Sequence, residues 1–208
     1  ADIMLIDEVL AVGDAAFAQK CMDVFHEKRQ AGKTIVLVTH DMATVQLLCH
    51  RAMLLHEGEL VYTGVLRTNL AAIAPRVPVP GGWCPVASEY FAISADVHVV
   101  LGHLAPEAYD CPTPDGRPAT AAFARERIAR LVCSDVEQLD DAHIDAIAAY
   151  LHGEQLRLIE EAARRVQGAL ARDAPVVLVG SGAFLGREVA ARLGRAVVDG
   201  PWSATDGE

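Results

Sequence analysis

Hydrophobic positions fall into two kinds of run along this chain. Short unbroken apolar stretches occupy residues 3–6, 35–38 and 176–179, and each leads into a polar or glycine-containing turn. Such runs predict strands buried on both faces of a parallel sheet. Between the first two, residues 15–30 place Phe17, Cys21, Val24 and Phe25 at helical spacing; Asp14 can cap that helix and Gly32 can end it. A short helix is predicted over residues 42–50, then a strand at 52–55 and a turn at 57–59 leading into 60–62. The alternation of strand and helix predicts an α/β fold.

Residues 75–85 carry four prolines and two glycines and read as a loop or linker. Residues 89–104 read as a mostly helical, largely buried segment, and residues 111–118 as a second turn-rich break. Thr120 can cap a helix running to Cys133, and Asp140 a longer one running to about residue 171. The long helix carries Ile144, Ile147, Leu151, Leu156, Ile159, Ala163, Val166 and Leu170 as its apolar face, with Gly153 at a possible kink. The tail returns to α/β: a strand at 176–179, the turn Gly180-Ser181-Gly182, a helix at 184–193 and a strand at 196–198 ending on Asp199.

Composition narrows the class. A chain of 208 residues with 52% hydrophobic content and mean hydropathy of +0.23 has ample material for a core. A net charge of −10 gives no basic patch for phosphates, which disfavours nonspecific binding to nucleic acid or an anionic membrane. The five cysteines are widely scattered with no C-x-x-C pair, the pattern of reduced thiols. No apolar run reaches the ~18 residues that span a bilayer. The expectation is a soluble, cytoplasmic protein whose start, directly on a strand at Ala1, is truncated.

Two constellations carry chemistry. In the first, the strand at 3–6 runs into Asp7-Glu8, and the strand at 35–39 runs into His40. A carboxylate at a strand end can hold Mg²⁺ beside phosphates, an adjacent Glu can activate a water, and a nearby His can contact a γ-phosphate. The segments IMLIDEVLAVGD and TIVLVTHD resemble the Walker B strand with its D-loop and the switch-histidine strand of ABC transporter ATP-binding subunits, most closely the polysaccharide and teichoic-acid exporter type. The resemblance covers residues 1–57. It implies a partial P-loop ATPase sheet in which Asp7 serves the metal, Glu8 is the catalytic base, Asp14 belongs to the D-loop and His40 senses the γ-phosphate. It also implies ATP and Mg²⁺ as cofactors and a membrane permease as partner. Neither a signature motif nor a Walker A loop is present; Glu27–Thr34 ends in GKT but has Glu where the loop needs Gly, and Thr34 opens a strand. ATP hydrolysis by this chain alone is therefore not expected.

In the second, Gly180, Ser181 and Gly182 join a buried strand to a helix N-terminus, which favours negative charge and lets backbone approach a ligand. Three readings share these residues: an adenosine-packing loop, a tight turn with no ligand, and a dinucleotide loop completed by Gly186 and Asp199. Upstream, Glu89 and Asp96 are seven apart and share a helical face, with His98 rotated away by roughly 200°. Glu89 and Asp96 are candidates for substrate contact or acid–base work; the other reading is a buried polar helix satisfied by hydrogen bonds.

The runs GELVYTGVLRT, GGWCPVASEYFAISADVHVVLGHL, PTPDGRP and VVLVGSGAFL resemble hydantoinase/oxoprolinase-like proteins linked to tetrahydromethanopterin one-carbon metabolism, relatives of a methanofuran-precursor synthase. This resemblance covers residues 58–208. It implies one lobe of an actin/hexokinase-like fold, ATP bound against Gly180, Ser181 and Gly182, and a small aromatic or furan substrate. Residues 57–64 (EGELVYTG) suit both families, so a chimeric chain joined near Gly58 is expected. Its sheets would need a partner chain for completion, and a non-catalytic interaction fragment is the remaining alternative.

Overall fold

The computed structural model describes residues 3–7, 15–39, 44–45, 48–49, 55–56, 59–60, 62, 64–167, 174–178 and 180–199; Glu8, Asp14 and His40 lie outside them. The chain divides into two compact units, Ala1–Ala52 and Met53–Glu208.

The first unit is a strand–helix–strand motif. β1 (Ile3–Asp7) pairs in parallel with β2 (Thr34–Val38), in a register that sets Asp7 opposite Val38. α1 (Ala15–Gln30) makes the crossover. Gly32, at φ +70°, ends α1 as expected: the Gly32 amide donates to the Arg29 carbonyl and the Lys33 amide to Lys28, a left-handed C-terminal cap. The predicted burial of both strands is corrected. Ile3, Leu5, Val36 and Val38 are exposed, Leu5 by 81%, because alternate side chains of a two-stranded sheet face out unless a further layer covers them.

The second unit is built around a short buried helix. β3 (Leu55–His56) and β4 (Glu59–Leu60) form a minimal antiparallel pair. β5 (Arg76–Val79) and β6 (Gly82–Pro85) form an antiparallel hairpin where the prolines predicted a linker. With only two strands, both are edges, so the missing N–H of Pro78 and Pro85 breaks no further ladder. α2 (Ser94–Val100) is shorter than the helix predicted over 89–104; residues 88–91 bend before it, and residues 94–99 are all buried.

α3 (Ala121–Arg130) starts at Thr120, whose Oγ1 accepts the Phe123 amide at 3.3 Å. α4 (Asp141–Gln167) starts after Asp140, whose carboxylate accepts the His143 amide at 2.9 Å, and continues as helix through Gly153. One face of α4 puts Ile144, Ile147, Ala148 and Leu151 into a core with Leu70, Val77, Val97 and Ile128. Each such aliphatic side chain contributes about 1.5–3 kcal/mol on leaving water. Farther along α4, Leu156 packs with Leu185 and Val189 of α5 (Ala183–Arg192). α5 crosses between β7 (Val176–Leu178) and β8 (Val197–Asp199), a parallel pair. The chain is thus mixed α/β with small sheets.

Candidate functional site

The turn from β7 into α5 owes its shape to its glycines. Gly180 has φ +79°, a left-handed conformation that a side chain would strain. A Cβ on Gly182 would collide with Cγ1 of Val65, so this glycine admits the chain around residue 65. Val65 is also a polar anchor: its carbonyl accepts Ser94 Oγ at 2.6 Å and Gln155 Nε2 at 2.7 Å. Asp199, the acidic residue of the dinucleotide reading, is ion-paired to Arg187 at 2.6 Å.

Besides Ser94, α2 carries two buried polar side chains, Asp96 and His98, with different surroundings. Asp96 has no exposure; its Oδ1 takes Arg127 Nε at 2.9 Å and the Tyr109 hydroxyl at 3.1 Å, and its Oδ2 takes the Ile93 amide at 2.9 Å. Burial pushes the Asp96 carboxyl up, and Arg127, Ile93 and Tyr109 pull against it. Arg127, itself fully buried, reaches on to Asp115 at 3.2 Å. Glu89 is exposed in the bend ahead of α2, so it shares no helix face with Asp96.

His98 is the second. Its Nε2 lies 2.9 Å from Gln155 Oε1, and its Nδ1 is buried with no hydrogen-bond partner. Burial lowers its pKa to about 4, His152 and His103 lower it further, and Gln155 opposes the fall. α2 ends at Gly102 (φ +73°), where the His103 amide donates back to the His98 carbonyl at 2.8 Å. That cap folds His103 over His98, their ring centres 5.8 Å apart. From α4, His152 comes within 5.5 Å of His98 and 4.7 Å of His103. Its Nε2 faces Glu188 Oε2 at 3.3 Å while its buried Nδ1 has no partner; burial also lowers its pKa, against the pull of Glu188. Phe184, two residues past Gly182, stacks edge-on against His98 at 4.7 Å.

A sequence profile described as hydantoinase/oxoprolinase matches residues 30–205. The chain belongs to this family. A (4-{4-[2-(gamma-L-glutamylamino)ethyl]phenoxymethyl}furan-2-yl)methanamine synthase of Methanocaldococcus jannaschii is 36% identical over 107 residues, 51% of this chain and 32% of its own length. The synthase of the same name from Methanococcus vannielii is 35% identical over 112 residues, 54% of this chain and 50% of its own length. A teichoic acids export ATP-binding protein of Lactiplantibacillus plantarum is 49% identical over 63 residues, 30% of this chain and 17% of its own length. The chain therefore spans a third to a half of these synthases and under a fifth of the export protein. Both resemblances read from the sequence are present, and the family match reaches back to residue 30, inside the segment that resembles the exporter subunit.

Of the residues the sequence singled out, Gly180, Ser181 and Gly182 lie together at the start of α5, and Asp7 ends β1. Glu89 and Asp96 are separated by burial as well as by the start of α2. The sequence reading missed His103, His152, Gln155 and Glu188. The helix-ending Gly102 directly before His103 was a usable signal for one of them; none in the local pattern tied His152 to His98. Among the described residues no helix is long and apolar enough to cross a membrane.

Proposed function

We propose that the chain is the second-lobe part of an actin/hexokinase-like, ATP-using synthase of the hydantoinase type, acting in tetrahydromethanopterin- and methanofuran-linked one-carbon metabolism. The observation that carries this reading is the family match over residues 30–205. The product named for the matched synthases joins a phenoxymethyl group to a furan methanamine, which makes a furan and a phenol the substrate class. In this reading Gly180, Ser181 and Gly182 pack on the adenosine of MgATP, supported by a left-handed glycine leading into a helix N-terminus. Glu89, exposed, is the substrate-contacting carboxylate, and Asp96 acts at one remove by holding α2 to α3 through Arg127.

Calorimetric titration of the whole chain with MgATP tests the reading. Ser181 is exposed, so Ser181→Glu adds negative charge to the turn without disturbing the core. The variant should bind about tenfold more weakly, a cost of about 1.4 kcal/mol. Failure of the unaltered chain to bind MgATP saturably removes the adenosine role from this turn.

A second reading is the energy-coupling subunit of a polysaccharide or teichoic-acid exporter, with a membrane permease as partner. Its support is the parallel β1–β2 pair, which ends β1 on Asp7. There Asp7 would hold Mg²⁺, with Glu8 as base, Asp14 in the D-loop and His40 as γ-phosphate sensor. Asp7→Asn distinguishes the two: it abolishes Mg²⁺-dependent nucleotide binding in the exporter reading and leaves it intact in the synthase reading. A third, non-catalytic reading has a partner chain complete the β1–β2 sheet. The join of two parents near Gly58 is tested by one uninterrupted DNA read through the codons for residues 55–65; continuity supports a genuine fusion, and divergence into either parent removes it.

A further inference from the structure

We propose that His98, His103 and His152 form a three-imidazole site for a borderline divalent transition-metal ion of the Zn²⁺ type. One ligand nitrogen from each residue can be chosen so that all three lie within 4.8 Å of one another. The ring centres are 5.8, 5.5 and 4.7 Å apart. Three imidazoles on one tetrahedral ion, with metal–nitrogen bonds of about 2.0–2.1 Å, have ring centres about 5 Å apart. Small side-chain rotations therefore close the set on an ion.

The hydrogen bonds decide which nitrogens keep a free lone pair. Gln155 donates its Nε2 to the Val65 carbonyl at 2.7 Å, which turns its Oε1 toward His98. An amide oxygen only accepts, so His98 carries its proton on Nε2 and keeps a bare lone pair on Nδ1. Glu188 acts in the same way on His152: the carboxylate accepts a hydrogen bond from Nε2–H at 3.3 Å and leaves the lone pair on Nδ1. These two Nδ1 atoms are buried without a partner. Metal-ligating histidines characteristically donate the other ring N–H to a carboxylate or carbonyl, which fixes tautomer and ring orientation. Here the outer partners are in place, and the two Nδ1 atoms make no hydrogen bond that would compete with an ion.

Packing alone explains the site poorly. A buried polar atom left unpaired is destabilising, and an aliphatic side chain at either position, on α2 or on α4, would avoid that cost. Burial lowers the pKa of both His98 and His152, the direction that favours the neutral ring a ligand presents. A neutral set of nitrogens without a carboxylate suits Zn²⁺, Co²⁺, Ni²⁺ or Cu²⁺ and not Mg²⁺ or Ca²⁺. His103 is exposed, which gives an ion a way in, and three protein ligands leave a fourth tetrahedral position for water or another molecule. Phe184 against His98 and His103 walls one side with an apolar face.

The site does not rest on the nucleotide reading, and its test uses no nucleotide. The whole chain, stripped with a chelator and dialysed, is titrated with Co²⁺ and with Zn²⁺, with Mg²⁺ as a control. The expected result is one Co²⁺ per chain, with the visible bands of a tetrahedral nitrogen–oxygen site and no thiolate charge-transfer band, displaced by Zn²⁺ and unaffected by Mg²⁺. His103→Ala, at an exposed position, should abolish stoichiometric binding without lowering the unfolding midpoint of the metal-free chain. Glu188→Gln keeps a hydrogen-bond acceptor and should weaken binding about tenfold. His143→Ala, on α4 but outside the cluster and paired with Asp140, should change nothing. Loss of binding only in His143→Ala, a thiolate spectrum from the free cysteines, or no stoichiometric uptake of Co²⁺ or Zn²⁺ would each overturn the proposal.

Discussion

Asp96 and His98 stand two residues apart on α2, both wholly buried, yet their surroundings differ sharply. Both oxygens of Asp96 are engaged, by a guanidinium, a phenol and a backbone amide. His98 is held through Nε2 alone, and its Nδ1 is left bare. The contrast separates two uses of a buried polar group. A fully matched network locks helices in place, whereas a matched outer nitrogen with an unmatched inner one is prepared for something not in the polypeptide.

The largest expected effect lies on the matched side. Arg127→Met leaves the Asp96 charge buried without its partner and should cost about 3–5 kcal/mol in urea unfolding. Adding Asp96→Asn should recover a large part of that loss. If the single variant is as stable as the unaltered protein, the matched network is not what holds α2 to α3.

Next comes acid. His98 titrates at about 4 in the folded chain against 6.5 in the reference state, so the unfolded chain takes up the proton first as pH falls. Stability should therefore drop between pH 6.5 and about 4, by up to roughly 3 kcal/mol for the full shift. Burial acts on His152 in the same direction, and Glu188 opposes it. Urea midpoints of the metal-free chain across that window measure the loss; His98→Leu should flatten the profile, and an unaltered slope would detach it from His98.

Gly102→Ala tests the hinge that brings His103 back. A Cβ there meets nothing, so only the left-handed backbone at φ +73° is strained, a cost of about 1–2 kcal/mol. The smallest effect belongs to an exposed copy of the Asp96–Arg127 chemistry. Arg164 pairs with Glu160 at 2.7 Å on the solvent side of α4, and Arg164→Ala should shift stability by less than about 0.5 kcal/mol. A loss as large as that of Arg127→Met would mean that burial is not what sets the value of the pair.

Much of the local structure was legible in the sequence. Thr120 and Asp140 cap α3 and α4, Gly32 ends α1, and the apolar positions of α4 name the residues that reach the core. The segment at 75–85 misled because prolines suggest a break, and only pairing between its two arms makes it a hairpin. The helix over 89–104 was overextended because Tyr90, Phe91 and Leu101 prolong the apolar pattern, although residues 88–91 bend and Gly102 turns the chain. For the candidate site, the turn at residues 180–182 was readable and the histidine cluster was not.

What the sequence determined by itself is what short-range chemistry controls: caps, turns, apolar periodicity and the likeness to two families. Tertiary structure alone decided which polar groups meet. His98 finds Gln155 across 57 residues, and Asp96 finds Arg127 across 31. Such meetings depend on how α2, α3 and α4 pack, and a side chain's neighbours across a core leave no periodic trace in either partner's own segment.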